Sequence, residues 1–155
     1  MNPRVEAVRK RLRDAGALGE VRILPETAHT AVLAAEQLGI DVGAIANSLI
    51  FDADGSPLLV MTSGRHRVDT DMVARLLGIS ALRRADAEFV RIHTGQSIGG
   101  VAPVGHPEPT GTLVDIELSR YDQVWAAAGH PSTVFPTTYT ELLRITSGTA
   151  AEVGD

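Results

Sequence analysis

One nearly uncharged stretch of the sequence, GQSIGGVAPVGH at residues 95–106, concentrates four glycines and a proline. Glycine lets the main chain adopt positive φ and approach a ligand closely, and proline fixes the exit of a turn. Backbone N–H groups in such a loop can converge on a carbonyl oxygen or a developing oxyanion. The same composition also suits a tight connection between a helix and a strand with no ligand. The pattern alone leaves both interpretations open.

Two other uses of glycine-rich loops do not fit this stretch. A dinucleotide fingerprint requires a helix directly after its glycines, and no helix-forming segment follows them here. A phosphate-binding loop requires a Gly-Lys-Ser/Thr ending, and the only lysine in the chain is Lys10. GQSIG at residues 95–99 matches the letters G-x-S-x-G, but a nucleophile elbow lies between a strand and a helix, and here a predicted helix precedes the glycines and none follows them. The chain contains no cysteine, so no thiolate is available.

Histidines supply the side chains best suited to proton transfer or polar contacts. His130, in AAAGHPST, could orient a water or contact a substrate amino group, or be an exposed turn histidine. His29 lies at a helix start and could bind substrate or face solvent. His66 lies between Arg65 and Arg67 in the densest basic cluster, a candidate phosphate contact or a solvated loop.

A further set of residues near predicted strand ends could line a ligand pocket or be purely structural: Thr27, Thr62, Ser63 and Phe135. Trp125, the sole tryptophan, is expected in the core. The five histidines lack metal-ligand spacing. We therefore expect neither a metal nor a cofactor.

Length and composition predict one compact domain over residues 1–155 with a substantial hydrophobic core. The chain is 44% hydrophobic, and it shows neither a signal peptide nor a membrane-length apolar run. We expect a cytoplasmic protein that does not contact a membrane. The net charge of −5 means that any nucleic-acid partner must meet a local basic patch.

The elements that must position these residues alternate between helices and strands, with one clear hairpin. Helices are predicted at 3–15, 30–38, 70–77, 87–93 and 138–145, most of them with a capping residue before and a glycine after. Strands are predicted at 21–24, 49–51, 58–61, 81–84, 112–118, 123–129 and 132–135. This mixture indicates an α/β (α+β) fold with a mixed sheet.

Five segments in this order resemble the YbaK and prolyl-tRNA synthetase-associated domain family. They are TAVLAAEQLG, IANSLIF, MTSGRHRVD, LVDIEL and VWAAAGHPSTVF, and they accompany the loop TGQSIGGVAPVGH. The diagnostic Gly-x-x-x-Pro element of the family falls on Gly99, Gly100, Val101, Ala102 and Pro103. The resemblance covers about residues 20 to 150.

This resemblance implies a curved, barrel-like mixed sheet surrounded by helices, and a trans-editing deacylase that uses no cofactor. Such proteins hydrolyse the ester of a mischarged tRNA, often alanine or cysteine on proline tRNA, and the loop amides contact the aminoacyl carbonyl. The implied partners are the tRNA acceptor end and, as a second candidate, an aminoacyl-tRNA synthetase. The sequence leaves a monomer and a homodimer equally open.

One position departs from the family pattern. Asn47 stands where the family usually has a functional lysine, and an asparagine amide can donate hydrogen bonds but supplies no charge. Because an aminoacyl ester is already activated, a fixed water and an oxyanion cradle could still suffice for hydrolysis. The alternative is a non-catalytic module that binds an aminoacylated tRNA end, a small acyl ligand or a protein partner.

Overall fold

The chain folds as helices packed around one mixed β-sheet, in a computed structural model that describes residues 2–155. The α-helices are α1 Pro3–Asp14, α2 Ala31–Leu38, α3 Thr70–Leu77, α4 Ala87–Thr94 and α5 Tyr139–Thr146. The strands are β1 Arg22–Ile23, β2 Ile45–Ala53, β3 Ser56–Ser63, β4 Leu82–Arg84, β5 Gly111–Asp115, β6 Val124–Ala127, β7 Thr133–Thr137 and β8 Thr149–Ala151.

The helix starts follow from their capping residues. Asn2, Thr30, Asp69, Asp86 and Thr138 each accept a hydrogen bond from a backbone N–H in the first turn of the helix that follows. Such a bond satisfies one of the donors that a helix start leaves without a partner. All five predicted helices are therefore confirmed, with ends within two residues of the expected ones.

The sheet has the order β1-β7-β6-β2-β3-β5-β8, and β4 also pairs with β2. The pairs β2–β6, β3–β5 and β5–β8 are parallel, and the remaining pairs are antiparallel. The hairpin β2–β3 turns at Asp54 and Gly55, both with positive φ, where the sequence predicts a turn. The predicted mixed sheet flanked by helices is confirmed.

The predicted strand at 112–118 is wrong in its second half. β5 ends at Asp115, whose side chain accepts from the Glu117 backbone N–H and caps a 3₁₀ helix over Ile116–Arg120. Aspartate competes for backbone donors in this way at turns, which overrides the apolar alternation. A second 3₁₀ helix, Val42–Ala44, and the short strand β8 were not predicted.

The main core lies between the sheet, α1 and the glycine-rich segment. It includes Val8 and Leu12 of α1, Leu59 and Met61 of β3, and the fully buried Phe135. A smaller apolar cluster joins α2 to β6 and β7 and contains Ala34, Ile45, Trp125 and Val134. Members of both clusters line the site described below. Within residues 2–155, no helix combines the length and apolar character needed to cross a membrane.

Candidate functional site

The site begins at a gap in the sheet beside β2. One edge of β2 pairs with β3 along Ala46–Ala53. Its other edge pairs with β6 at Ile45 and Ala46, and with β4 only from Phe51 onward. Residues 47–50 therefore have no strand partner on that edge. The gap opens the sheet at the centre of its longest strand.

Two depressions meet at this gap. The inner pocket lies toward α2 and β6, and the outer cleft lies toward β4 and the segment 66–70. They share a set of residues that we call the mouth: His29, Thr30, Ala31, Asn47, Ser48, Gly99 and Val101. The structure thus brings three candidate site residues together with Val101: His29, Asn47 and Gly99.

The inner pocket is small and mostly apolar. Its walls include Ala28, Ala34, Ala46 and Trp125, and its cavity volume is about 40 Å³. A single water requires roughly 10–15 Å³ on this scale, so the pocket admits a group of only a few atoms. Trp125 is 7% exposed, as expected of a core residue, and the Arg22 guanidinium lies 4.9 Å from its ring centroid.

The glycine-rich loop turns some of its backbone donors inward and leaves others free. The Gly100 N–H donates to the Ser97 carbonyl (3.1 Å), and the Ala102 N–H donates to Gln96 Oε1 (2.7 Å). The N–H groups of Gly99 and Val101 donate to no acceptor within residues 2–155. Val101 is only 3% exposed, so its donor is largely removed from solvent without a protein partner. Such donors are rare, and this one belongs to a residue of the mouth.

The direction of the Val101 N–H follows from the geometry of its peptide group. The Gly100 carbonyl accepts from the Gly129 N–H at 2.9 Å, and Gly129 lines neither the inner pocket nor the outer cleft. In a trans peptide the C=O and the next N–H point in opposite directions, and none of the peptide bonds described is cis. The Val101 N–H therefore points away from Gly129. The Val101 N–H and the Gly99 N–H are therefore the two candidate donors for the cradle that the sequence suggested.

Close packing of two loops requires a glycine at position 100. A Cβ on Gly100 would lie 2.7 Å from the His130 carbonyl carbon and from the Pro131 nitrogen, which is shorter than real contacts allow. Gly99 has φ of +89°, and a Cβ there would lie 3.4 Å from His29 Nδ1. His29 is therefore the side chain that a Cβ at position 99 would meet first.

His130 differs from its expected placement. Its backbone packs against Gly100, but its side chain does not line the inner pocket or the outer cleft. Its Nδ1 accepts from the Ser132 backbone N–H (3.1 Å) and lies 2.8 Å from Ser132 Oγ. An accepting Nδ1 places the proton of the neutral ring on Nε2. The Pro131 ring, one residue later, lines the inner pocket instead.

Four other predicted pocket residues lie outside both depressions. Phe135 is fully buried in the main core, because its strand alternation directs it to the α1 side of the sheet. Thr62 and Ser63 are buried and contact Asp115: the Ser63 N–H donates at 3.0 Å and Thr62 Oγ1 at 3.3 Å. Thr27 is exposed in the loop before α2. None of the four lines either depression, and of the two interpretations that the sequence leaves open the structure favours the structural one for Phe135, Thr62 and Ser63.

The basic cluster divides between two environments. Arg65 forms an ion pair with Asp41 (2.8 Å) and lines neither depression. The pKa of the Asp41 carboxyl is lowered, first by the Gly43 backbone N–H and then by Arg65. His66 and Arg67 line the outer cleft, where Arg84 of β4 joins them. The cationic groups of the cleft thus come from two separate segments.

A buried carboxylate orients His66. Asp115 is 1% exposed, and its Oδ2 lies 2.9 Å from His66 Nδ1 and also accepts from Ser63. A carboxylate can only accept when ionised, so Nδ1 carries a hydrogen toward Asp115. His66 Nε2 lies 3.9 Å from Glu117 Oε1. The ring is therefore held in place at the edge of the outer cleft.

Three contributing residues escaped the sequence analysis: Gln96, His106 and Asp115. Gln96 and His106 hold the glycine-rich loop from inside, and both lie within the quoted stretch itself. Each follows a glycine, Gln96 after Gly95 and His106 after Gly105, and this position could have indicated that they hold the loop. A polar residue in a loop is ordinarily expected at the surface, however, so the sequence did not predict their burial. Among residues 2–155, no group of three or more His, Cys, Asp or Glu side chains is placed to hold a metal ion.

Comparison with known proteins identifies the family of the chain. A family model described as an aminoacyl-tRNA editing domain matches residues 25–145. The uncharacterized protein YwhH of Bacillus subtilis (strain 168) is 30% identical over 110 residues, 70% of this chain and 69% of its own length.

Two further matches connect the fold to proline–tRNA ligases. The proline–tRNA ligase of Bacillus licheniformis is 34% identical over 105 residues, and the match covers 65% of this chain but only 18% of the ligase. A crystal structure of a candidate trans-editing enzyme for prolyl tRNA synthetase superimposes with a TM-score of 0.93 at 38% identity. That superposition covers 100% of this chain and 99% of the other. On these matches, the chain belongs to the aminoacyl-tRNA editing domain family.

Proposed function

We propose that the protein is an aminoacyl-tRNA deacylase that hydrolyses the ester of a mischarged tRNA. The observation that carries this proposal is the Val101 N–H, a buried donor with no partner in residues 2–155, at the mouth between the two depressions. A donor in that position is suited to a carbonyl oxygen that becomes an oxyanion during ester hydrolysis. Losing one such donor typically costs ~10²–10³ in rate.

The inner pocket would take the amino-acid side chain. Its volume of about 40 Å³ and its alanine-lined walls favour a side chain of one or two heavy atoms, such as alanine or cysteine. One methylene in an apolar pocket is worth only ~1–3 kcal/mol, which is why a second, hydrolytic selection step is useful. The ligase relatives and the candidate trans-editing enzyme support proline tRNA as the carrier.

The outer cleft would take the terminal nucleotide of the tRNA. Its lining includes the apolar side chains of Leu49, Phe51 and Val68, which can support a base or a ribose face. Arg67 and Arg84 are exposed and form no ion pair among residues 2–155, so their charges are free to meet phosphate. These two arginines provide the local positive charge that a chain of net charge −5 requires.

The reaction then needs one water and no covalent intermediate. The water oxygen bonds to the ester carbonyl carbon, the carbonyl oxygen becomes an oxyanion at the Val101 and Gly99 N–H groups, and the bond to the ribose oxygen breaks. One proton of the water ends on that ribose oxygen, the other passes to solvent, and the amino acid is released as its carboxylate. His29, next to Gly99 at the mouth, is better placed than His130 to orient the water or contact the amino group.

The test is hydrolysis of a panel of mischarged tRNAs by the purified protein. We expect alanyl or cysteinyl proline tRNA to lose its amino acid faster than in buffer, with prolyl-tRNA spared. His29→Ala should slow the reaction more than His130→Ala. Equal loss of every amino acid, or none above buffer, contradicts the proposal.

A second candidate, a binding module without turnover, is favoured by one observation: Asn47 brings no charge to the mouth. Its side-chain amide forms no hydrogen bond within residues 2–155, so it is available to a ligand. Binding of aminoacylated tRNA without hydrolysis would support the module. Under the deacylase proposal, Asn47→Lys should tighten tRNA binding and steepen its salt dependence, because a new cation would face the acceptor end.

A further inference from the structure

Two buried polar side chains hold the glycine-rich loop from its inner side. We infer that Gln96 and His106 are positioning residues, which fix the peptide groups around Val101 so that its N–H faces the mouth. The structural part of this inference is independent of any activity. Its effect on rate rests on the proposed function.

Gln96 bridges the two ends of the loop. It is 3% exposed, its Oε1 accepts from the Ala102 N–H at 2.7 Å, and its Nε2 donates to the Val104 carbonyl at 3.1 Å. Its own backbone N–H donates to Oγ1 of the fully buried Thr94 at 3.0 Å. Both polar atoms of the side chain are therefore engaged, and the residue that carries them is anchored at the end of α4.

His106 holds the next carbonyl. It is 7% exposed, and its Nε2 lies 2.8 Å from the Ala102 carbonyl oxygen, which can only accept. Nε2 therefore carries the hydrogen, and Nδ1, 2.8 Å from Thr110 Oγ1, accepts in the neutral ring. Burial lowers the pKa of His106, with the nearby Arg11 charge acting in the same direction, so the neutral ring is favoured.

Together these bonds engage each peptide group of the loop on one side. The Gly100 N–H is bound by Ser97, the Gly100 carbonyl by Gly129, and the Ala102 N–H and carbonyl by Gln96 and His106. Pro103 has no N–H. Between Gly100 and Pro103, Val101 is therefore the one residue whose N–H remains free. The peptide groups on both sides of Val101 cannot rotate without losing a hydrogen bond, to Gly129 on one side and to Gln96 on the other.

The orientation of the Gly100–Val101 peptide group has to be fixed by hydrogen bonds, because a glycine at position 100 also permits the reversed orientation. Rotation of the Gly100–Val101 peptide group changes ψ of Gly100, which has no Cβ to resist it, and φ of Val101. A flipped group would present the Gly100 carbonyl oxygen to the mouth and turn the Val101 N–H away. An acceptor in that position repels an oxyanion instead of stabilising it. The Gly129 bond to the Gly100 carbonyl opposes that flip directly, and the Gln96 and His106 bonds hold the two peptide groups that follow, so that Val101 cannot move to accommodate it.

The experiment compares Gln96→Met, which keeps the side-chain volume but removes both hydrogen bonds, with two substitutions of His106. His106→Gln can keep a donor near the Nε2 position, whereas His106→Ala cannot. In ¹⁵N-labelled protein, residual dipolar couplings report the direction of the Val101 N–H bond, and hydrogen exchange reports protection of the Ala102 N–H. We expect Gln96→Met and His106→Ala to change the Val101 coupling, and His106→Gln to retain it.

The same variants are then assayed for single-turnover hydrolysis of alanyl proline tRNA at saturating protein. We expect Gln96→Met to lower the single-turnover rate ~10- to 100-fold, which approaches the effect of removing one oxyanion donor. The protein concentration that gives half of the maximal rate should change less than ~3-fold. A purely structural role would lower stability without this separation of rate from binding. Gln37→Met is the matched control, because Gln37 forms the same two bonds to the backbone of Glu26. It should leave the Val101 coupling unchanged.

A folded Gln96→Met protein with an unchanged Val101 coupling would overturn the inference. If Gln96→Met does not fold, the two His106 variants decide: equal couplings in both would also overturn it. A wild-type protein that hydrolyses none of the tRNAs would refute the proposed function, and the dipolar couplings would still decide the positioning roles.

Discussion

Replacing Gly100 by alanine tests whether the contact between the two loops sets the donor geometry. The φ of Gly100 is not positive, so the backbone tolerates a side chain, and any effect arises from the close approach of residues 129–131. The added Cβ would lie 2.7 Å from two backbone atoms, the His130 carbonyl carbon and the Pro131 nitrogen. Backbone atoms cannot rotate aside as a flexible side chain can, so the loops must separate.

The size of the effect follows from that separation. Moving a 2.7 Å contact to the ordinary limit requires a shift of ~0.7 Å. The Gly129 N–H to Gly100 C=O bond, now 2.9 Å, would lengthen beyond the usual range. Overpacking costs ~1–3 kcal/mol and a lost hydrogen bond ~0.5–1.5 kcal/mol, so we expect a loss of ~2–4 kcal/mol and a Tm about 5–15 °C lower.

The assay combines thermal unfolding with single-turnover deacylation of alanyl proline tRNA. Because the Val101 N–H would lose its fixed direction, we expect a rate ~10²–10³ lower at temperatures where the variant is folded. Gly111→Ala is the control, since a Cβ there would meet its nearest atom, Leu58 Cδ1, at an ordinary 3.9 Å. It should change neither the Tm nor the rate by a comparable amount.

A folded Gly100→Ala protein that deacylates at the wild-type rate would refute the reasoning, because the donor would then not depend on the loop contact. A lower Tm with an unchanged rate would have the same meaning. Equal losses in Gly111→Ala would show that the effect is not specific to the loop.

Three other outcomes follow from groups around the site. In urea titrations, Asp115→Ala should lower the free energy of unfolding by ~3–5 kcal/mol, because His66 and two backbone N–H donors would lose a buried acceptor. Asp122 is exposed, so the control Asp122→Ala should change the free energy of unfolding little. In the folded chain the pKa of His106 lies below its ordinary 6.5, so the stability that the neutral ring contributes is present above about pH 6.5 and is lost as pH falls through the folded pKa. In urea titrations at several pH values, His106→Gln should therefore weaken the fall of the unfolding midpoint below about pH 6.5. Arg84→Ala should reduce the slope of log K against log salt for tRNA binding by about 0.7–0.9, and Arg75→Ala, remote from the outer cleft, should not.

Sequence reasoning predicted the elements whose signals are local. Capping residues such as Asp69 and Asp86 marked helix starts, and glycines such as Gly39 marked the left-handed ends. It failed at Asp115, where one side chain ended a strand that apolar alternation would have extended. β8 is three residues long and depends on pairing with β5, which no local pattern indicates.

The site was predicted in part for the same reason. The donor loop was visible because its glycine content is a local property. Which of its N–H groups remain free depends on the acceptors Ser97 and Gln96, and the orientation of its carbonyls depends on Gly129 and His106; these partners are set by packing. Phe135 shows the opposite error: a position near a strand end suggested a pocket wall, while strand alternation buries the ring in the main core. The gap beside β2 required the whole sheet topology.

Under the proposed function, the interrupted edge of β2 separates selection of the amino acid from its hydrolysis. The inner pocket is walled by α2 and β6, whereas the candidate N–H donors belong to a loop after α4 that is held by its own buried hydrogen bonds. An exchange of alanine for glycine or valine on α2 would therefore resize the pocket without disturbing those hydrogen bonds. A domain built in this way would change its amino-acid preference through single substitutions on one helix.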